Sequence, residues 1–327
     1  MSLHPTRRDA LKLLAAATAL PWAGAHADEF PNKPIRMILP FPPGGTTDVV
    51  GRVFGEAYGK VLGQPVIIDN RAGAGGSVGA RAIAQAAPDG YTIGLVTIST
   101  HGTNSAVYKS LPYDPVKDFT AITKLSAFPG VIAVNPAFPA KNFKEFMETL
   151  KAAPGRYSYA SSGAGGATNL CMELFKSKTG VFITHIPYRG SGPAINDVIA
   201  GQVQILWDAL PSALPFIKAG KMVAIGVASD RRSPQLPDVP TFTELGVKDY
   251  EPDLWNGIVG PARIPPETFK RLQSAAVEAA GNPEFKARMS ELGANVVASN
   301  SPGFSQAIAK DVALWKEVAK FANISLD

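Results

Sequence analysis

The sequence predicts an α/β protein whose mainly parallel sheets are flanked by helices. Three observations predict it. Short runs of β-forming residues recur along the chain, amphipathic helical patterns lie between them, and Gly or Pro marks the joints. Strands alternating with helices are the pattern of sheets covered by crossover helices. With 327 residues and 46% apolar content the chain is long enough for two domains of about 100–150 residues each.

In chain order, the expected buried strands are 35–41, 65–69, 92–97, 131–134, 157–161, 183–188, 203–207 and 222–229. After the first of them, Val50, Val53, Phe54, Ala57 and Val61 share one helical face. Later helices carry Leu170 with Leu174, and Ile195 with Val198 and Ile199. Turns are marked by Pro88-Asp89-Gly90, Leu111-Pro112-Tyr113-Asp114-Pro115, Ala153-Pro154-Gly155 and Pro237-Asp238-Val239-Pro240. No low-complexity linker and no fixed-period repeat divides the chain.

At the N-terminus, Arg7-Arg8 precedes an apolar stretch interrupted by Lys12 and closed by Pro21, and Ala25-His26-Ala27 offers small residues for cleavage. These features predict an export signal over residues 1–27, cleaved near Ala27, with a twin-arginine route favoured and a Sec route left open. The stretch is too short to span a bilayer, and no later segment approaches about 20 uninterrupted apolar residues. Without the leader, 29 basic and 26 acidic residues remain, a net charge of +3. No basic block interleaved with aromatics accompanies it, so nucleic acid is not an expected partner. Cys171 is the single cysteine, which rules out an internal disulfide, and no His/Cys/carboxylate spacing fits a metal. Neither metal nor cofactor is expected.

Three Gly-rich joints carry the chemistry. Pro42-Pro43-Gly44-Gly45-Thr46-Thr47-Asp48 joins a strand ending at Phe41 to a helix, with Thr46 or Thr47 as the expected N-cap. Ser161-Ser162-Gly163-Ala164-Gly165-Gly166-Ala167-Thr168-Asn169 repeats the construction, and so does Tyr188-Arg189-Gly190-Ser191-Gly192-Pro193, whose proline suits a helix start. Glycines let backbone come close to a ligand, and the unpaired N–H groups of a helix's first turn favour an anion. A fourth strand end, Thr97 to Asn104, adds Ser99, His101 and Asn104 where open α/β sheets bind ligands.

Enzymatic patterns are thin. Gly75-Gly76-Ser77-Val78-Gly79 matches a hydrolase nucleophile elbow after a strand, with only His101 and His185 beyond the leader to serve as base. Gly73, Gly75 and Gly79 miss the dinucleotide spacing by one residue, and no phosphate-loop motif occurs.

Taken in order, these segments resemble the Bug-type receptors of tripartite tricarboxylate transporters. The resemblance is carried by Phe41-Pro42-Pro43-Gly44-Gly45-Thr46-Thr47-Asp48, Asn70-Arg71-Ala72-Gly73-Ala74-Gly75-Gly76, Pro88-Asp89-Gly90-Tyr91 and Leu111-Pro112-Tyr113-Asp114-Pro115. It continues through Ser161-Ser162-Gly163, Pro187-Tyr188-Arg189-Gly190, Gly201-Gln202-Val203, Arg232-Ser233-Pro234 and Leu236-Pro237-Asp238-Val239-Pro240-Thr241.

The resemblance implies a two-lobed periplasmic-binding-protein-like fold of type II, with a ligand cleft between lobes that close as a hinge. It places lobe 1 at 28–125 plus 255–327 and lobe 2 at 126–254. It implies a periplasmic, non-enzymatic, monomeric receptor that captures a small carboxylate, whether a dicarboxylate, an acidic amino acid or an aromatic carboxylate, and delivers it to integral-membrane transporter subunits. One carboxylate is implied at the first-lobe loop, Phe41, Pro43, Gly44, Gly45, Thr46, Thr47 and Asp48, and the rest at Ser161, Ser162, Gly163, Gly165, Thr168 and Asn169. Tyr188, Arg189, Gly190 and the strand-end acid Asp208 complete the implied site. Gly166 and Asn169 stand where such receptors usually carry serine and histidine, and Arg189 where lysine is more common. A ligand-sensing partner of a signalling receptor and an exported hydrolase built on Ser77 remain alternatives.

Overall fold

The computed structural model describes residues 30–250, 252, 254–321 and 324–326. The expected export signal lies outside the described residues.

The first sheet contains β1 (Ile35–Leu39), β2 (Val66–Asn70), β3 (Thr92–Thr97), β4 (Phe119–Phe128), β10 (Leu254–Pro261) and β11 (Asn295–Val296), in the order β11-β4-β10-β3-β1-β2. The second contains β5 (Gly130–Val134), β6 (Ser158–Ser161), β7 (Thr184–Pro187), β8 (Ile205–Ala209) and β9 (Val223–Ala228), in the order β7-β6-β8-β5-β9. The chain crosses from the first sheet to the second between β4 and β5, and returns before β10.

The two-lobed α/β architecture is as expected, but the sheets are mixed rather than mainly parallel. β1 pairs in parallel with β2 and β3, whereas β10 runs antiparallel to β3 and β4. In the second sheet β6 pairs in parallel with β7 and β8, whereas β5 is antiparallel to β8 and β9. The cause is the crossing: a strand arriving from the other lobe begins at the cleft, where the strands that carry the cleft loops end. The sequence reading did not anticipate β4, β10 or β11. β10 reads Leu-Trp-Asn-Gly-Ile-Val-Gly-Pro, with Asn, Gly and Pro inside a strand buried along its whole length.

Helices cover both sheets. α1 (Thr46–Leu62) and α2 (Ser77–Ala84) flank the first, with short α3 (Asn104–Val107). The second lobe carries α4 (Phe143–Ala152), α5 (Ala167–Thr179), α6 (Ser191–Ile199) and α7 (Leu210–Lys218). Returning to the first sheet, the chain adds α8 (Pro266–Gly281), α9 (Pro283–Glu291) and α10 (Ser301–Phe321). The core includes Trp207, whose indole donates to the Tyr250 hydroxyl at 2.7 Å and whose ring lies over Gly130. A Cβ at Gly130 would sit 2.4 Å from that ring, so glycine is required there. Cys171 is fully buried in α5 and burial pushes its thiol pKa up, a packing residue rather than a nucleophile. No described helix is long and apolar enough to cross a membrane.

Candidate functional site

β1 delivers the chain into the first-lobe loop, and α1 begins at Thr46. Its N-cap is Gly45 in extended conformation with no side-chain cap, a correction to the expected Thr46 or Thr47. The two threonines sit one residue too late to fold back onto the first turn, and the Thr46 hydroxyl instead donates to Ser212 Oγ of the other lobe at 3.0 Å. Beneath the loop, Asp48 is its anchor. Oδ2 accepts from the Gly44 N–H at 3.1 Å, Oδ1 accepts from Asn70 Nδ2 at 3.1 Å, and Arg52 pairs with the same carboxylate at 2.9 Å. Burial raises the Asp48 pKa, but the hydrogen bonds from Arg52, Gly44 and Asn70 outweigh it and hold the carboxyl below its usual range. Asp48 therefore shapes the loop and is spent on internal partners.

The second-lobe loop is held without an ion pair inside it. The Ser161 hydroxyl meets His185 Nε2 at 2.6 Å and accepts from the Gly163 N–H at 3.2 Å. Thr168 Oγ1 accepts from the Ser162 N–H at 2.9 Å, and Asn169 Oδ1 accepts from the Gly165 N–H at 2.9 Å. Asn169 Nδ2 donates to the Tyr159 hydroxyl at 2.6 Å, which in turn donates to Glu173 at 2.7 Å. His185 stacks on Tyr159 and burial drives its pKa down to about 4, so the ring is neutral where it meets Ser161. α5 also lacks a cap from its own loop, because Gly166 occupies the N-cap position. Ser99 of the first lobe supplies one, its hydroxyl accepting from the Ala167 N–H at 3.0 Å.

The third loop brings the lobes into contact. A Cβ on Gly190, at φ 133°, would lie 2.5 Å from the Pro42 ring, and one on Gly192 would lie 2.6 Å from the Pro43 carbonyl oxygen. Only glycine lets these backbones approach. Ser191 at the head of α6 donates to Asp208 Oδ1 at 2.8 Å, and Ser212 in α7 donates to Asp208 Oδ2 at 2.7 Å. The Ala209 N–H is a third donor, at 2.8 Å. Burial pushes the Asp208 pKa up to about 6 against the opposing pull of these hydrogen bonds. A continuous chain Thr46–Ser212–Asp208–Ser191 thus spans the interlobe seam.

Between the loops lies a cavity of about 60 Å³. Of the residues singled out by sequence, Phe41, Gly45, Thr46, Thr47, Ser99, Ser162, Thr168 and Asp208 line it. Tyr188, Arg189 and Gly163 line instead a neighbouring cavity of about 240 Å³, with the Gly73–Gly76 turn, Phe41 and Ser162. Phe41 and Ser162 are walls of both. Pro43 and Gly44 are exposed at the rim, and Asp48, Ser161, Gly165 and Asn169 support the loops from behind.

Two residues expected at the ligand belong to the scaffold. His101 is fully buried edge-on against Phe119, with ring centroids 4.4 Å apart, and burial lowers its pKa to about 3. Its backbone follows β3 into a π-type turn (Ser99–Thr103) that rotates the ring into the core. Asn104 is buried and donates to the Gly75 carbonyl at 3.0 Å, bracing the glycine turn. Ser77 heads α2 with no hydrogen bond to either described histidine, so the nucleophile-elbow pattern has no base. Sequence reasoning missed Ser191, Phe128 and Asn256 on the cavity wall. Ser191 stood inside a loop already marked, but Asn256 sits in a strand without a periodic signal.

The family model for the tripartite tricarboxylate transporter family receptor matches residues 50–324. The chain belongs to this family. It is 34% identical to the protein BugT of Bordetella pertussis over 97% of this chain and 98% of that one. An R. palustris protein solved with adipate superposes with a TM-score of 0.88 at 31% identity, covering 91% of this chain and 99% of that one. MatC from Rhodopseudomonas palustris, solved with bound malate, gives 0.84 at 32% identity over 88% and 99%. Receptors of this family are solute-binding proteins rather than enzymes, which removes the hydrolase alternative. Among the described residues no group of three or more His, Cys, Asp or Glu could hold a metal.

Proposed function

We propose that this receptor captures a small dicarboxylate in the interlobe cleft and delivers it to integral-membrane subunits of a tripartite transporter after export to the periplasm. One observation carries the reading: α1 and α5, from opposite lobes, present first turns without caps from their own loops to one cavity. Helix N-termini attract anions through their unpaired N–H groups and dipoles. A carboxylate between them replaces Ser99 as the partner of Ala167 and favours the closed state, the differential affinity a hinge needs. The relatives solved with adipate and malate support the dicarboxylate class.

Lobe 1, at 28–125 and 255–327, closes on lobe 2, at 126–254, and the receptor acts as a monomer. The protein from Asp28 onward, screened by thermal shift against acids and their matched amides, tests this. Ligand at about 100 times its Kd adds about 2.7 kcal/mol to stability, a clear rise in Tm. Stabilisation by the acid and not its amide, with contraction in small-angle scattering, is expected. No stabilisation by any acid overturns the proposal.

A further inference from the structure

Asn256 is fully buried on β10 and lines the central cavity, yet neither Nδ2 nor Oδ1 has a hydrogen-bond partner among the described residues. Buried side-chain amides are nearly always paired, and an unpaired one is costly. Its cross-strand neighbours are Thr97 on β3 and Ser126 on β4. Thr97 Oγ1 already accepts from the Ser99 N–H at 3.1 Å, whereas the Ser126 hydroxyl is buried and unpaired as well. Of these three, Thr97 and Asn256 line the cavity and give it a polar floor built from the sheet, separate from the helix N-termini of the two loops.

We propose that Asn256 is a specificity-determining residue that recognises a hydroxyl on the carboxylate ligand, so that the preferred solute is a hydroxy acid. A carboxamide presents both a donor and an acceptor. A second ligand carboxylate only accepts and leaves Oδ1 unpaired, and an ammonium only donates and leaves Nδ2 unpaired. A hydroxyl satisfies both from one atom. A ligand carboxamide also does so, but needs two atoms in register with the side chain where a hydroxyl needs one. Asp208 on the facing wall, filled by Ser191, Ser212 and the Ala209 N–H, has little capacity left to compete for that proton.

This inference rests on the cleft being the carboxylate site, and the test separates the two. Calorimetric titration of the chain from Asp28 with malate against succinate, and with 3-hydroxyglutarate against glutarate, reads the hydroxyl directly. The hydroxylated member is expected to bind about 10- to 100-fold tighter, because a site built for a hydroxyl rejects the analogue that lacks it. Asn256→Leu should abolish that preference, bringing the hydroxylated and plain members of each pair to equal affinity, and should raise the Tm of the unliganded protein, since an unpaired buried amide is gone. Should the leucine variant fail to fold, Asn256→Ala carries the same comparison. Equal binding of both members by the parent, or a preference that survives in the variant, overturns the inference and leaves the carboxylate reading intact. An Asn256-dependent gain with aspartate but not malate also overturns it, in favour of an ammonium. Failure of every acid to bind better than its amide overturns both.

Discussion

The two loops that face each other across the cleft do the same work with different chemistry. The first-lobe loop hangs on one charged anchor, Asp48, which gathers Gly44, Asn70 and Arg52 onto a single carboxylate. The second-lobe loop is held by a spread of neutral hydrogen bonds through Ser161, Thr168, Asn169, Tyr159 and His185. A concentrated anchor fails all at once when its one residue is removed, whereas a distributed one yields in steps. The charged anchor also keeps its function in acid, because its partners hold the carboxyl ionised, while the neutral network depends on a histidine that must stay unprotonated.

Breaking the comparison begins with Asp48→Ala. It removes the acceptor of the Gly44 N–H and one of the two acceptors of Asn70 Nδ2, which keeps the Phe41 carbonyl, and it removes the ion pair of Arg52, which is exposed enough to recover water. We expect a loss of about 2 kcal/mol in urea unfolding and about 10- to 100-fold weaker carboxylate binding by calorimetry. Asn169→Ala, on the distributed side, removes the acceptor for Gly165 N–H and the donor to Tyr159. Its cost is expected at about 1 kcal/mol in stability and about fivefold in affinity. An equal or larger effect at Asn169 than at Asp48 would dissolve the distinction.

Acid sharpens it. His185 has a folded pKa of about 4, below the unfolded value near 6.5, so the unfolded chain binds the proton first. Its contribution to stability is complete above about pH 6.5 and is lost as the pH falls toward 4. Asp48, held below its ordinary 3.8, loses its contribution only as the pH drops through about 4 and lower. Asp208, raised to about 6, has the opposite sign and costs stability as the pH rises through that value, which is why the measurement must be local. Hydrogen exchange between pH 7 and 4.5 should show the Gly163 and Gly165 amides losing protection while the Gly44 amide keeps it. His185→Gln should remove that dependence. The smallest effect belongs to the seam between the loops: Thr46→Val deletes the hydroxyl that reaches Ser212 and should weaken binding about twofold to threefold, with scattering showing a more open unliganded population.

The cleft loops were legible because their glycines leave few alternatives: Gly44, Gly163, Gly165 and Gly190 all have φ between 69° and 151°. A strand followed by such a turn and an amphipathic helix is written in local sequence. His101 and Asn104 were misassigned because the chain after β3 takes a π-type turn, and that small change of phase sends the polar side chains into the scaffold. Tyr188 and Arg189 were placed in the right loop but line the adjoining cavity, since which of two interlobe spaces a side chain enters depends on how the lobes meet.

By itself the sequence determined the α/β class, the apolar strands, the glycine turns and the helix N-termini beside them, because propensity, periodicity and backbone permission act over a few residues. Only the tertiary structure decided that Gly45 rather than a threonine heads α1, that Ser99 caps a helix of the other lobe, and that β10 crosses back to set Asn256 on the cavity floor. Those outcomes join residues far apart in the chain, and the pairing energy that selects them exists only once both lobes are folded and in contact.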